Sequence, residues 1–592
     1  MRFLSEEDLY KKKIIIVNNL SNSKLNFSIS SKLKNLDSNY LVIFLKEISN
    51  KELLKNNNYR IFSWSIFKDS VKKRFASHWS SKNNLKKSQI LKKKQILNIL
   101  KDFFKTKKIN LIYAIDKENM LLLQNKYEIQ NIENEIKKYN DDVTTYTNYS
   151  KLINIFQHIN FVLYYLFYPI YSLFFFKFNK KSNKINIALR TYNSGIRLNK
   201  NDLRLDWFVE KNKYRKQTAF FNEDKLDIDF REQISKNDYD SIDTFYKKPY
   251  YFLNTKHLFS FYPNLIVSIF INFFRFLIFD LENKKVIINA LKNLILWSNI
   301  TSLFNLKIFF SYHDYSINSI YRNIILHSKN CKTISFKHSH SELVHDEKNY
   351  LNIAYINNCF NKEYHWSKIG IKNAKRNLSR STNLHNVLPF CKLINQKVRK
   401  IYINKKYIYI SCFTSQLGTS YSFNNPKEHF MFLEYMITLL KTNKDIVIIF
   451  KPKYKIKFLK EFYPKHYFLI NKLIKTKRFT IYTKIKAVDL IKQSSISISM
   501  SFSSPTIEAL SLLKPSTYVS FQNSFKNNSF RNMKYFYASN FDLAIRNFNF
   551  WKNNLKKNKI QKKILNDYFS QIFGKNFLRY EDIYKDLSKY LD

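Results

Sequence analysis

The segment from Ser494 to Phe521, SSISISMSFSSPTIEALSLLKPSTYVSF, has the residue types and spacing of a phosphate site. Apolar residues alternate with serines over Ile496–Met500, which predicts a short buried strand. A serine-rich turn follows, in which Ser504 is suited to cap a helix and Pro505 to occupy its first position. We predict a helix over Thr506–Leu513, ended by a Lys-Pro pair, and then a second strand.

A helix that begins inside a ring of hydroxyl groups can bind an anion. The first backbone N–H groups of a helix have no partner within the helix, and the helix dipole favours negative charge at that end. Ser503, Ser504 and Thr506 carry hydroxyls at this point, and Glu508, one turn later, could accept hydrogen bonds from a ribose. The alternative is an ordinary capped helix of an α/β domain.

This strand, turn and helix, with Pro-Thr-x-Glu-Ala-Leu and Lys-Pro, resemble the donor-binding motif of GT-B-fold glycosyltransferases, above all those of bacterial capsule and lipopolysaccharide synthesis. In that family the turn and helix start hold a nucleotide diphosphate and the glutamate holds the ribose. The resemblance assigns those roles to Ser503, Ser504, Thr506 and Glu508. Where the family usually has glycine before Lys-Pro, this chain has Leu513.

Two further segments resemble phosphate-binding parts of the same family. A strand over 407–411 leads into a loop rich in Ser, Thr and Gly, and a strand over 445–450 ends at Lys-Pro-Lys. A cation at the carboxyl end of a strand can stabilise a departing diphosphate. The candidate donor-binding residues from these segments are Thr414, Ser415, Gly418, Lys451 and Lys453. A basic turn without chemistry is the alternative for the two lysines.

Candidate catalytic residues follow two predicted strands, 307–311 and 333–336. Polar residues just beyond the carboxyl ends of parallel strands are where α/β ligand sites form. His338 and His340 are candidate general bases, since histidine titrates near neutrality, and Asp314 and Glu342 are rival bases. Loop histidines without chemistry remain the alternative, and no third ligand suggests a metal.

The composition bounds the class of protein. The 592 residues suffice for two or three domains, and 45% apolar residues exclude global disorder. A net charge of +56 suggests an anionic partner, although abundant Lys, Asn and Ile are also what an AT-rich genome encodes. We find no RNA-binding motif or zinc finger, and the four cysteines have no metal-site spacing. The basic N-terminal segment lacks the apolar core of a secretory signal.

Two apolar runs interrupt the α/β pattern, near residues 152–181 and 257–305. The uncharged stretches, Leu152–Phe176 and Leu258–Phe274, are aromatic-rich, contain a proline each and are flanked by basic residues. Such runs are typical of helices at a membrane interface, and each is near the lower length limit for spanning a bilayer. Buried core helices are the alternative.

Together these features predict an α/β protein with two Rossmann-like lobes, GT-B-like, with a helical apolar insertion in the first lobe. Residues 1–396 would form the N-terminal acceptor-side lobe, and 397–592 a nucleotide-sugar-binding lobe whose terminal helices pack back. We expect a glycosyltransferase that transfers a sugar from a nucleotide sugar to a surface glycan and needs no divalent metal. The acceptor would be lipid-linked, and the enzyme would act as a peripheral protein on the anionic cytoplasmic face of the membrane. We expect no nucleic-acid partner. The alternatives are a CDP-polyol phosphotransferase of the same fold and a non-catalytic membrane- or nucleic-acid-binding protein.

Overall fold

The structure of the chain is a computed structural model. The described residues are 2–3, 7–10, 13–18, 36, 39–44, 59–61, 113–115, 117–118, 129–147, 184–191, 213–222, 234, 239–243, 263, 267, 281–312, 317–337, 358–376, 380–387, 401, 403–415, 417, 426–454, 456–500, 503–521, 530–555, 558–578 and 580–591. The predicted catalytic residues Asp314, His338, His340 and Glu342, the donor residue Gly418 and the apolar run 152–181 lie outside them.

A five-stranded parallel sheet, here the N-terminal sheet, comes first in the chain. Its strands are β1 (Arg2–Phe3), β2 (Lys13–Asn18), β3 (Tyr40–Phe44), β4 (Tyr59–Ile61) and β5 (Val143–Thr147), in the spatial order β1-β4-β3-β2-β5. Apolar side chains of β2 and β3 pack against a helix that includes residues 129–137, because runs such as Lys-Ile-Ile-Ile-Val suit strands buried on both faces. The sequence analysis did not anticipate that this sheet would be separate.

The first lobe is a seven-stranded parallel sheet. Its strands are β6 (Ile187–Thr191), β7 (Thr218–Asn222), β8 (Asp240–Asp243), β9 (Ile308–Tyr312), β10 (Lys332–Phe336), β11 (Lys362–His365) and β12 (Asn383–Asn386). Its helices are α1 (Leu281–Leu303), α2 (Ile317–Ser328) and α3 (Lys368–Arg376). The spatial order β8-β7-β6-β9-β10-β11-β12 places the first strand beside the fourth, which is the Rossmann order with one added strand.

The second lobe repeats this order with six parallel strands. They are β13 (Ile408–Phe413), β14 (Ile446–Lys451), β15 (Phe479–Ile481), β16 (Ile496–Met500), β17 (Ser516–Val519) and β18 (Tyr537–Ala538), arranged β15-β14-β13-β16-β17-β18. Its helices are α4 (Pro426–Thr442), α5 (Ile456–Phe462), α6 (Pro464–Lys475), α7 (Ala487–Gln493), α8 (Pro505–Ser511) and α9 (Phe541–Asn554). The predicted pair of Rossmann-like lobes is therefore confirmed.

Two terminal helices connect the lobes. Helix α10 (Asn558–Phe573) adds Leu565 and Ile572 to the core of the second lobe, whereas α11 (Tyr580–Ser588) adds Ile583 and Leu587 to the core of the first. Lys362 of β11 forms an ion pair with Asp586 of α11. The predicted domain boundary at residues 396–397 lies outside the described residues, in the stretch between β12 and β13.

The apolar run Ile-Asn-Leu-Ile-Tyr-Ala at residues 109–114 predicts a strand, but this run is helical where the structure describes it. Residues 113–115 and 117–118 have helical backbone, and Ala114 and Ile115 are buried in the first-lobe core against α1 and α2. A short apolar run is compatible with either a strand or a buried helix, and periodicity alone does not separate the two. Among the described helices, none combines the length and apolar character needed to cross a bilayer.

Candidate functional site

The loops predicted to bind the donor meet at one edge of the second-lobe sheet. Phe413, the last residue of β13, pairs with Lys451 of β14 on one side and with Ser499 of β16 on the other. The strand order reverses between β13 and β16, so the connections that leave these two strands run in opposite directions and open a crevice. Ligands of doubly wound sheets bind in such a crevice.

The loops after β13 and β14 are tied together by side-chain hydrogen bonds. Thr414 Oγ1 accepts a hydrogen bond from the backbone N–H of Lys453 at 3.1 Å. Ser415 Oγ lies 3.1 Å from Nε2 of His429, a buried residue in the first turn of α4. The Tyr454 ring is 5.6 Å from the His429 ring, centroid to centroid. The structure thus brings the predicted Thr414, Ser415 and Lys453 together and adds His429, which the sequence analysis did not select.

The two lysines after β14 occupy different environments. Lys451 Nζ donates a hydrogen bond to the carbonyl oxygen of Thr483 at 3.1 Å, and burial lowers the pKa of its ammonium group. The Lys453 side chain is exposed beside the crevice. Lys453 is therefore the more accessible cation for a phosphate, while Lys451 adds positive charge from a more fixed position.

Ser504 occupies the N-cap position of α8, with Pro505 at the first helical position as predicted. Its side chain makes no cap hydrogen bond, in contrast to the prediction, because its backbone is helical (φ −74°, ψ −24°). A capping serine needs an extended backbone to fold its hydroxyl onto the helix. The Ser504 hydroxyl is therefore not engaged in capping.

Ser503 and Thr506 bond to neighbouring protein groups. Ser503 Oγ donates to the carbonyl oxygen of Met500 at 2.7 Å. Thr506 is fully buried, with its hydroxyl in hydrogen-bonding contact with Ser499 and 3.3 Å from the carbonyl oxygen of Thr517. These bonds shape the turn between β16 and α8. Donor contacts by either side chain stay a prediction, as does the ribose contact of Glu508, which lies half-buried in the first turn of α8.

Helix α8 ends at a leucine in a backbone conformation that usually belongs to glycine. Leu513 has a backbone φ of 54°. The Leu513 N–H donates a hydrogen bond to the carbonyl oxygen of Leu510 at 2.8 Å, and the Lys514 N–H donates one to the carbonyl oxygen of Ala509 at 3.0 Å. These are the two bonds of a Schellman motif, in which the left-handed residue is most often glycine. The chain therefore makes this turn without glycine, and the helix stops two residues before its predicted end.

Lys514 fastens α8 to the end of α7. Its Nζ donates to the carbonyl oxygens of Ile491, Lys492 and Ser494 at 2.8, 2.5 and 2.7 Å. These carbonyls belong to the last turn of α7 and the residue after it, where a cation offsets the negative end of the helix dipole. The lysine of the Lys-Pro pair thus stabilises the support of the site. Nothing local in the sequence indicates this contact, which spans about 20 residues of chain.

A buried charged cluster lies at the corresponding edge of the first lobe. Lys337 follows β10, and Glu363 and His365 belong to β11. Lys337 Nζ and His365 Nε2 lie 3.3 and 3.2 Å from Glu363 Oε2, and all three side chains are shielded from solvent. This cluster was not predicted from the sequence, although Lys337 directly precedes the candidate His338. No group of three metal-ligating side chains is found within the described ranges.

A second polar cluster joins the helical residues 117–118 to the first lobe. Glu118 accepts hydrogen bonds from the Tyr321 hydroxyl at 2.7 Å and from Asn289 Nδ2 at 2.9 Å. Burial outweighs these two bonds and raises the pKa of Glu118 to about 7. Nearby, Lys117 Nζ donates to Asn358 Oδ1 at 3.0 Å. Titratable and polar groups therefore hold this segment against α1 and α2.

Comparison with known proteins bears on the second lobe. Residues 408–545 match the model of the polysaccharide biosynthesis PFTS motif family. The second lobe is therefore similar to a domain of polysaccharide-biosynthesis proteins. The match extends from β13 into α9, includes the three loops at the crevice, and confirms the resemblance to polysaccharide-biosynthesis proteins. The comparison with curated proteins gives no significant match.

Solved structures similar to this chain include a glycosyltransferase and proteins bound to UDP or UDP-sugars. A Rickettsia africae glycosyltransferase is 15% identical, covering 69% of this chain and 98% of its own, with a TM-score of 0.40. Anabaena HepE, in complex with UDP and glucose, is 9% identical; the match covers 69% of this chain and 99% of HepE, with a TM-score of 0.38. Neisseria meningitidis UDP-GlcNAc 2-epimerase is also 9% identical (64% and 93% covered, TM-score 0.38). Our assignment of the fold stands on the two strand orders.

Proposed function

We propose that this chain is a glycosyltransferase that moves a sugar from a nucleotide sugar to a surface-glycan acceptor. The observation that carries the proposal is the meeting of three polar loops, after β13, β14 and β16, at the crevice of the second lobe. This lobe is also the part that matches a polysaccharide-biosynthesis family. We place the nucleotide diphosphate there, with the acceptor entering from the first lobe.

The residues at the crevice suit a departing diphosphate. Lys453 and Lys451 supply positive charge, and the hydroxyls of Thr414, Ser415 and Ser504 supply neutral hydrogen-bonding groups. Fixed cations and donors stabilise charge that develops on the leaving group without reorganisation, so in this proposal no divalent metal is required. Glu508 accepts hydrogen bonds from the ribose hydroxyls.

The acceptor in this proposal is a lipid-linked glycan of the capsule or lipopolysaccharide type. The enzyme then works as a peripheral protein on the cytoplasmic face of the membrane. The high positive charge of the chain supports this location, because anionic lipids attract basic surfaces. The candidate bases Asp314, His338, His340 and Glu342 would activate the acceptor hydroxyl.

Calorimetric titration with UDP, GDP, CDP and CMP tests the donor site. We expect one nucleotide to bind, and Glu508→Ala to weaken its binding roughly 10- to 100-fold, the usual loss for a hydrogen bond to a charged group. Glu434→Ala is the matched control, because Glu434 is an exposed glutamate on α4 of the same lobe. A folded protein that binds none of the four would overturn the proposal, and a preference for CDP or CMP would favour a CDP-polyol phosphotransferase.

A further inference from the structure

Helix α6 carries an exposed aromatic side chain inside a row of lysines. Phe468 is 67% exposed, the largest exposed fraction among the exposed large apolar side chains in the described ranges. Lys465, Lys472 and Lys475 lie three, four and seven residues from it and are exposed on the same side of the helix. The opposite side is buried, through His466, Leu469, Ile470 and Leu473.

The positive charge continues beyond this helix. Residues 453–477 contain eight lysines and a single acidic residue, Glu461. Seven of these lysines are exposed: Lys453, Lys457, Lys460, Lys465, Lys472, Lys475 and Lys477. We call Phe468, Lys465, Lys472 and Lys475, which share one side of α6, the α6 face. Its charge complements an anionic surface, and the aromatic ring has its contact area available for a partner.

We propose that the α6 face docks the protein on an anionic lipid bilayer, with Phe468 inserted between the headgroups. An interfacial helix combines apolar side chains that enter the membrane with lysines that contact acidic lipids. The face is the exposed side of a helix, and Phe468 is the one exposed aromatic among the described side chains of that helix. Single-stranded nucleic acid instead calls for a groove in which successive bases stack on several aromatic rings.

The position of α6 links docking to the crevice. His466 Nε2, on the buried side of α6, lies 2.8 Å from the carbonyl oxygen of Pro426, the first residue of α4. The first turn of α4 also holds His429, which contacts Ser415 at the crevice. The first turn of α6 therefore lies close to the donor edge of the second lobe. The inference rests on the proposed membrane-linked acceptor for its purpose, although its test requires no catalysis.

Co-sedimentation with vesicles tests the inference on the full chain. We compare phosphatidylcholine vesicles with vesicles containing roughly 30% phosphatidylserine, since the attraction depends on anionic lipid. The combined variant Lys465→Glu, Lys472→Glu and Lys475→Glu should lower partitioning onto the anionic vesicles by at least about 30-fold. Phe468→Ala should lower it about 10-fold and leave less binding at high salt, because the apolar contribution is not screened.

The matched control replaces three exposed lysines of another helix, as Lys559→Glu, Lys562→Glu and Lys563→Glu on α10. It changes the net charge equally and should retain vesicle binding within about 3-fold if the α6 face is the docking surface. Equal loss in both triple variants, or wild-type binding by the α6 variant, overturns the inference. Binding to single-stranded RNA but not to vesicles overturns it as well.

Nucleotide titration of the same variants separates this inference from the proposed function. We expect the α6 triple variant to keep its melting temperature and its nucleotide affinity while losing vesicle binding. If the wild-type chain binds vesicles but binds no nucleotide, the result would count against the proposed transferase function and would leave the proposed docking surface in place.

Discussion

The Lys337 ammonium lies 3.3 Å from the Glu363 carboxylate, and both side chains are almost completely removed from solvent. Burial alone would raise the pKa of Glu363, but Lys337 and His365 outweigh burial and lower this pKa to about 2. Glu363 is thus a buried carboxylate held in its charged form beside Lys337, the residue that precedes the candidate His338 in the sequence. Such a pair costs most when only one partner is removed.

Lys337→Met should destabilise the protein by about 3–5 kcal/mol, because it leaves the Glu363 charge buried without its ammonium partner. Urea unfolding measures the loss. The double variant Lys337→Met, Glu363→Leu should recover most of it, and Lys329→Met, at an exposed lysine of the same lobe, should have little effect. Since the pKa of Glu363 is lowered in the folded protein, the ionised carboxylate contributes to folding stability above pH 4.5, and this contribution is lost as the pH falls towards 2. Equal stability of both Lys→Met variants would contradict this account.

Leu513→Gly should stabilise the second lobe by about 0.5–1 kcal/mol. The left-handed conformation at φ 54° costs leucine about 1–2 kcal/mol, whereas glycine adopts it freely but loses more chain entropy on folding. Leu512→Gly is the control, because Leu512 has φ −89° and gains nothing from glycine. Thermal unfolding compares the two. A lower melting temperature for Leu513→Gly would mean that contacts of the leucine side chain outweigh the backbone strain.

Glu118→Gln should make stability less dependent on pH. The pKa of Glu118 is raised from 4.5 to about 7 in the folded protein. Between pH 4.5 and pH 7 the folded state therefore keeps a proton on Glu118 that the unfolded state has lost. The stability of the folded protein falls as the pH rises through this window. The shift corresponds to at most about 3 kcal/mol. Urea unfolding at pH 5 and pH 8 should show a smaller difference for the variant than for the wild type. Asp141→Asn, at an exposed acid beside the N-terminal sheet, should leave the difference unchanged.

Local patterns predicted the elements around the crevice well. The alternation of apolar residues and serines predicts a strand over Ile496–Met500 with the observed ends, and the sequence also predicts a helix over about 426–442, where the structure has α4. Both segments combine clear periodicity with a proline or a turn at the boundary. The order of strands and loops then placed Thr414, Lys453 and Ser504 at one edge of the sheet, because parallel strands end on the same side.

Long-range contacts were not predictable from these patterns. The partners of Lys514 and Glu118, and the Lys337 partner of Glu363, come from distant segments, so that no local spacing signals them. His429 lies between these two extremes. A histidine in the first turn of a helix that follows a hydroxyl-rich loop can be recognised from the sequence, but it was not selected as a candidate. Residues 113–115 show the limit of periodicity, because tertiary packing made a helix of an apolar run that also suits a strand.

The return of α11 to the first lobe has a consequence during synthesis. Ile583 and Leu587 complete the core around β6, β9 and β10, yet the ribosome makes them only after the entire second lobe. At 5–20 residues per second, the first lobe waits on the order of tens of seconds for its last apolar partners. Throughout that interval the apolar side chains that Ile583 and Leu587 contact lack these two partners, which makes the nascent first lobe prone to aggregation.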